Sequence, residues 1–449
     1  MKTYKKGGIV LLILFFCGNI VNVFANGIHA ASEKESTEQI ASARPDNYAP
    51  LGVMGDPVHS AGEMMFSYRS IEMAMDGLQD GNAISIEETL ENYLMVPTRM
   101  RMRVHMFGAM FAPHDRITLM AMMSYRTNFI QMKGAHLHSP GGDGPVGHHH
   151  IIGDPSGTIA GFGDITLAAL IPLINAANTD LRLNAGASIP TGSIISARGA
   201  YTSSTGVTGL HYPMQMGSGS FELRPGLTFA ATHGAWSYGA QARGAIRLNK
   251  NKRDYRLAPT IGSTLWSARR LNDSLSIYLR GSFENWGNVT AFTSEKERAS
   301  HDRYAALIGT TRSDYASPTM DPNLQRGRRG SVSAGVNFIF PDTPGGILAG
   351  QRFTFEFQMP VYQNLDGPQM ALDSTTLPDW RNFMLLHYID WTIVAGWQYP
   401  LDQNSDGAQM KLDWTIVVGS RNFLYLTDVY ISEFDWIIVA GWQYAFGLR

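Results

Sequence analysis

The sequence predicts an all-β fold, a transmembrane antiparallel up-and-down β-barrel of about twelve strands, or about fourteen if a duplicated C-terminal hairpin is inserted. Three observations carry that expectation. First, residues 62–133 contain an alternating run in which Met100, Met102, Val104, Met106 and Met110 share one face while Arg99, Arg101, Arg103 and His105 fill the positions between. A period of two separates these sets on a strand, whereas a helix would smear them around its circumference. Second, the chain reads as exported, with no cysteine after its leader and no apolar run near the ~18 residues that a membrane helix needs. Third, short and long connections alternate along the chain, as they do when turns lie in the periplasm and loops lie outside.

Composition narrows the class further. The 449 residues are 44% hydrophobic and 16% charged, with a net charge of -2 and 46 glycines. Near-neutrality gives no reason to expect nucleic acid. Residues 1–25 read as a signal peptide, in which Lys2, Lys5 and Lys6 precede an apolar run and Val23-Phe24-Ala25 offers the cleavage site. The single cysteine, Cys17, falls in that leader, so disulfide frameworks and thiolate metal sites are excluded from the rest. Residues 26–61 are expected to form a periplasmic N-terminal segment, its polar part flexible, and residues 62–449 the barrel in a bacterial outer membrane.

In chain order, a first strand at residues 62–75 is followed by a polar loop and by the alternating strand just described. A tight turn at Ala112-Pro113-His114-Asp115 leads to a second alternating run with Ile117, Leu119, Ala121, Met123 and Tyr125 on its apolar side. The apolar faces of both strands are expected to meet acyl chains and the basic face of the first to line a wet interior. Residues 134–161 hold His136, His138, His148, His149 and His150 among glycines and show no strand pattern. Strands are then expected at 163–173, 181–191, 220–231, 236–248, 256–268, 274–286, 330–340 and 352–362.

The C-terminal part is duplicated. Asp390-Trp391-Thr392-Ile393-Val394-Ala395-Gly396-Trp397-Gln398-Tyr399 returns as Asp435-Trp436-Ile437-Ile438-Val439-Ala440-Gly441-Trp442-Gln443-Tyr444, and partly at residues 413–419. Twelve strands are the expected ancestral plan, with the extra copy inserted or displaced. Trp442, Tyr444 and Phe446 offer an aromatic girdle on the closing strand.

Several stretches resemble a known family. Pro50-Leu51-Gly52-Val53-Met54-Gly55-Asp56, Gly62-Glu63-Met64-Met65-Phe66-Ser67-Tyr68-Arg69, Val96-Pro97-Thr98-Arg99-Met100, Thr118-Leu119-Met120-Ala121-Met122, Pro190-Thr191-Gly192-Ser193 and Tyr212-Pro213-Met214-Gln215-Met216-Gly217-Ser218-Gly219 are similar to the outer-membrane transporter family of the meta-pathway of phenol degradation. The resemblance implies a channel-like barrel that passes small, often aromatic, molecules. It brings no catalytic motif, and the duplicated end departs from the family pattern.

Three functional readings follow. In the first, a monomeric barrel set in outer-membrane lipid by the barrel assembly machinery lets small solutes diffuse passively. Arg99, Arg101, Arg103 and His105 would line its pore, extended by Arg243, Arg247 and Arg280, since guanidinium groups on a lumen wall attract anions. The plainer alternative is that these arginines pair with Glu63, Asp164 or Glu222 and brace the barrel. In the second, most of the 22 methionines lie between Met54 and Met132, and thioethers are soft ligands for Cu(I) or Ag(I). Met54, His59, Met64 and Met65, with His148, His149 and His150, are the ligand candidates; methionine as flexible packing is the competing explanation. In the third, a lipid or ester hydrolase is assembled across strands, but no nucleophile elbow, phosphate loop or HExxH motif is present, so no enzyme is expected.

Overall fold

The computed structural model describes residues 44–55, 58–93, 95–134, 136–137, 150–151, 154, 156–194, 212–291, 315, 317–341, 351–370, 392–398 and 443–447. The wall strands are β1 (Glu63–Asp76), β2 (Met95–His114), β3 (Ile117–Gly134), β4 (Ser156–Phe162), β5 (Ile165–Ala176), β6 (Thr179–Ile189), β7 (Glu222–His233), β8 (Trp236–Arg247), β9 (Thr260–Arg270), β10 (Leu275–Trp286), β11 (Gly327–Ile339), β12 (Arg352–Leu365), β13 (Thr392–Gln398) and β14 (Gln443–Gly447). Every pairing is antiparallel, and β13 joins β12 on one side to β1 on the other, which closes the ring. β4 and β5 both pair with β3, one along its far half and one along its near half, and so share one position broken at Gly163 and Asp164. β14 extends β13 along the start of β1. The fourteen wall strands therefore fill about twelve positions around the barrel.

The residues explain the closure. Outward positions are apolar: Leu119 and Met123 on β3, Leu167 and Leu173 on β5, Leu223 and Leu227 on β7, Ile277 and Leu279 on β10 are all exposed. Inward positions on the same strands are polar and buried, including Thr118, Ser124, Asn128, Thr228, Ser276 and Arg280. A chain with its oil outside and its polar groups within a closed ladder is built for a bilayer, where every backbone group must be satisfied inside the sheet. The chain is an outer-membrane β-barrel. Connections at one end are short, as at Gly234, whose φ of 60° gives the left-handed turn between β7 and β8.

Two expectations about the wall need correction. The strand expected at 163–173 starts earlier, because β4 already pairs with the far half of β3 from Ser156 onward. Its Gly157-Thr158-Ile159-Ala160-Gly161 run has almost no alternation to read. The long β3 edge supplies the partner that specifies it. The second correction concerns the faces of β2. Met100 and Met110 point inward: Met100 lies in a buried cluster with Met95, Ile130, Met132 and Met214, with Met102 packed against it, and Met110 lies with Met65, Met120 and Leu170 against Val58 of the N-terminal segment. The methionine face of β2 lines the interior rather than lipid. On β3 the expected orientation holds, with Leu119, Met123 and Tyr125 exposed on the outside.

Candidate functional site

The lumen is occupied by the chain's own N-terminal segment. Residues 44–55 and 58–61, expected as part of a periplasmic lead-in, instead thread the barrel. Pro45, Pro50, Gly52 and Gly55 keep this stretch out of helix or strand. Its carbonyls therefore need donors, and the inward side chains of the wall supply them. Pro45 O accepts from Ser276 Oγ at 2.9 Å and Asn337 Nδ2 at 3.3 Å. Asp46 O accepts from Ser237. Ala49 O accepts from Arg352 Nη2 at 2.8 Å, whose guanidinium lies 4.5 Å from the centre of the Tyr48 ring. Arg69 Nη1 donates to Leu51 O at 3.0 Å and to Val53 O at 3.1 Å, and Gln241 Nε2 donates to Met54 O at 2.7 Å.

At its deepest point the segment passes over a buried ion pair. Arg280 and Glu356 bond directly, with Ser333 and Gln358 taking further guanidinium hydrogens. Gly52 lies so close to the Arg280 guanidinium that any Cβ there would collide with it, while its N–H donates to Glu356 Oε2 at 3.4 Å. Gly55 has a φ of 77°, and a Cβ there would meet Leu170 and Asn184. The segment then descends the opposite wall, where His59 N donates to Thr118 Oγ1 at 3.0 Å and Ala61 N to Asp115 Oδ1 at 2.7 Å, before β1 begins.

Toward the other mouth, the described parts of the loop between β6 and β7 fold inward. Asp164 organises them: it accepts from Gly192 N at 2.9 Å, and from Ser218 N at 2.8 Å and Ser218 Oγ at 2.7 Å. Asn128 Nδ2 donates to Pro213 O at 3.2 Å. Between this cap and the plug, the wall carries paired charges. Glu222 holds Arg224 at 2.9 Å and Arg247 at 2.8 Å, and Arg243 pairs with Glu284. Arg126, on the inward face of β3, faces Gly161 across the ladder and lies beside Gly163.

The expected pore residues divide. Arg243, Arg247 and Arg280 share the inward faces of their strands with Gln241, Ser237 and Ser276, and each has a carboxylate partner. Arg99, Arg101, Arg103 and His105 do not line the lumen. They stand opposite Gln131, Phe129, Thr127 and Tyr125 of β3, on the face that exposes Leu119 and Met123. Their carboxylates are Asp76, 3.7 Å from Arg99, and Glu72, 3.3 Å from Arg103, rather than Glu63, Asp164 or Glu222. The reason is length. With 20 residues β2 is about twice what a tilted strand needs to cross the hydrocarbon core, so its outward face is basic beyond the acyl chains and apolar only from Phe107 to Phe111.

Among the described residues the soft-metal candidates are not assembled. Met64 and Met65 are successive residues of one strand and point to opposite faces. Met54 Sδ accepts from Arg69 Nη1 at 3.2 Å, and His59 Nδ1 lies 3.3 Å from Glu63. Among the described residues no group of three His, Cys, Asp or Glu side chains could hold a metal. His148 and His149 lie outside the described residues, and only the backbone of His150 is placed, in a two-residue ladder with Leu137. Sequence reasoning missed Arg69, Arg126 and Arg352, and the plug-binding Asn184 and Gln241. The parity of Leu119 on β3 was the available signal for Arg126.

No family model matches the chain, and no curated protein matches it. Among solved structures it is similar to the COG4313 outer membrane channel from Pseudomonas putida F1, with 13% identity and a TM-score of 0.44, over 76% of this chain and 98% of that one. It is also similar to the NanC porin, with 7% identity and a TM-score of 0.33, over 75% and 100% of the two chains. The translocator domain of the autotransporter NalP from Neisseria meningitidis gives 7% identity and a TM-score of 0.35, over 86% and 98%. These are loose likenesses between barrels, and the closure of this one rests on its own strand register.

Proposed function

We propose that the chain is a monomeric outer-membrane channel for small solutes, held at low conductance by its own N-terminal segment. The observation that supports this reading is the fit of plug to wall: the carbonyls of Pro45, Asp46, Ala49, Leu51, Val53 and Met54 each meet a side-chain donor from the lumen face. Seven such bonds, two of them to Pro45 and each worth about 1 kcal/mol net, hold an obstacle that can leave the lumen without opening the wall. Above it the charges of Arg126, Asp164, Glu222, Arg224, Arg243 and Arg247 polarise the remaining passage. The resemblance to the phenol meta-pathway family makes small aromatic molecules the solute class to test first.

Planar bilayers test this directly. The full chain is expected to give small, flickering conductance, and deletion of residues 44–61 a several-fold larger, steadier one. Absence of conductance and of solute flux in both would end the transport reading.

A further inference from the structure

The outward arginines of β2 have no part in the lumen, and their surroundings point elsewhere. The outer face of the β1–β4 wall changes character along its height. Lowest are Leu119 and Leu167; then come Phe107 and Met123; then a polar aromatic row. In that row Tyr125 meets Phe162 edge-on with centroids 5.2 Å apart, and Tyr68 OH lies 2.6 Å from His105 Nδ1. Amphipathic rings of this kind settle at the membrane–water interface. Arg103, Arg101 and Arg99 follow at alternate positions beyond it, about 7 to 20 Å further along the strand. Thr127 and Gln131 of β3 and Ser156 and Thr158 of β4 share their face. This is the depth of lipid phosphates and their first sugars.

We propose that this patch binds the phosphates of the phosphorylated glycolipid of the outer leaflet. Among the described residues, Arg99, Arg101 and Arg103 share this face with the carboxylates Glu72 and Asp76, a positive balance, and Lys133 on the same face is matched by Glu87 at 3.0 Å. The Arg103 side chain, paired through Nη2 with Glu72, remains about a third exposed, so guanidinium hydrogens on its open side can meet a phosphate oxygen. The far wall lacks these features. There the outward positions at the same end of β7 and β8 are Phe221, Leu223, Ile246 and Leu248, all exposed and apolar.

The test uses the full chain purified from outer membranes and a double variant, Arg99→Gln with Arg101→Gln, which leaves the Arg103–Glu72 pair in place. Bound lipopolysaccharide is measured by native mass spectrometry, and affinity by titration of delipidated protein with lipopolysaccharide, with its dephosphorylated form and with phosphatidylglycerol vesicles. Heat-modifiable gel mobility reports that the barrel is folded. At least about tenfold weaker binding of lipopolysaccharide by the variant is expected, as for loss of two charge-assisted contacts, with the dephosphorylated form binding both proteins equally weakly. Equal retention by both proteins, or an equal response to phosphatidylglycerol, overturns the proposal. If the double variant does not fold, Arg101→Gln alone is read in the same way.

A different observation carries a second inference. The two repeat copies present the same residue to β1: Gln398 of the first faces Ser67, and so does Gln443 of the second. Equal sequence has produced equal register, and one slot beside β1 cannot hold both in full. We infer that the copies are alternative closing strands. They differ at one point that matters: the residue that a continued register assigns to Met65 is Pro400 in the first copy and Ala445 in the second. Proline lacks the ladder N–H, whereas the second copy carries alanine there and pairs with β1 as far as Glu63.

Because Cys17 is the only cysteine of the chain, paired cysteines report each closure cleanly. Ser67→Cys is combined with Gln398→Cys in one protein and with Gln443→Cys in another, and both are oxidised in membranes; antiparallel partners lie within disulfide reach. Partial cross-linking is expected in each, rising toward completion for the first pair when residues 435–449 are deleted. A single cross-linkable pair, unresponsive to removal of the other copy, overturns the inference.

Discussion

β2 and β3 are the two arms of one hairpin and both alternate, yet the face that reads as lipid-facing meets lipid on β3 and lines the interior on β2. On β3 the face holding Leu119, Met123 and Tyr125 is exposed, whereas on β2 the face holding Met100 and Met110 is buried inside. Alternation establishes that a strand has two faces, but which of them meets lipid is settled by its neighbours in register. Here the lumen is not wet throughout. The plug and the inward loop give it two apolar patches, around Val58 and Met214, and the β2 methionines pack on these. Methionine suits either environment, so its pattern carries little information about direction.

The comparison breaks most readily at the buried methionines. Met100→Ala or Met132→Ala removes a side chain that is essentially inaccessible and is expected to cost about 2–5 kcal/mol. Urea unfolding in lipid vesicles measures it. Had these residues faced acyl chains, lipid would fill the gap and the loss would stay within about 1 kcal/mol. A charge on the other arm gives the next effect. Leu119→Arg or Met123→Arg sets a guanidinium against hydrocarbon, at about 2–4 kcal/mol near the midplane, while a cysteine at Met123 should be quenched by lipid-dissolved nitroxide and one at Met122 should not.

Much of this barrel was legible in the residues. Export, the antiparallel wall, its strand limits to within a few residues and the parity of loops and turns follow from alternation and composition, because a bilayer constrains every outward side chain in the same way. The failures share a cause. Gly157 to Gly161 pair because β3 offers an edge, the N-terminal segment enters the lumen because Ser276, Asn337, Arg352, Arg69 and Gln241 wait there as donors, and the basic run of β2 is tolerated outside because it stands above the acyl chains. Each depends on partners distant in sequence. Arg243, Arg247 and Arg280, expected to extend the basic face of β2, stand on a different face from it, each beside a carboxylate.

Charge inside the barrel sharpens the same contrast at smaller cost. Arg126, on the inward side of β3, sits near the level of Asp164, and its neighbours Arg224 and Arg247 are already held by Glu222. In the plug-deleted protein, Arg126→Gln is expected to lower the anion-to-cation permeability ratio, read as a shift of reversal potential across a salt gradient, with little change in conductance. Gly52→Ala tests the plug from its own side. The added methyl must displace Arg280 from Glu356, so the variant should conduct more than the parent without any loss of wall residues.

The smallest effect falls on the arginine that sequence patterning placed in the pore. Arg101 faces outward beside Phe129, so Arg101→Leu should leave conductance and reversal potential unchanged in both plugged and plug-deleted protein. Its effect on unfolding should stay within about 1 kcal/mol, the range of exposed ion pairs. A lumen residue could not be so silent, because removing a guanidinium from a narrow passage changes the local ion concentration whatever it does to stability. A clear shift of reversal potential in Arg101→Leu would therefore reverse the assigned faces of β2, and with them the burial of Met100 and Met110 that sets the two arms apart.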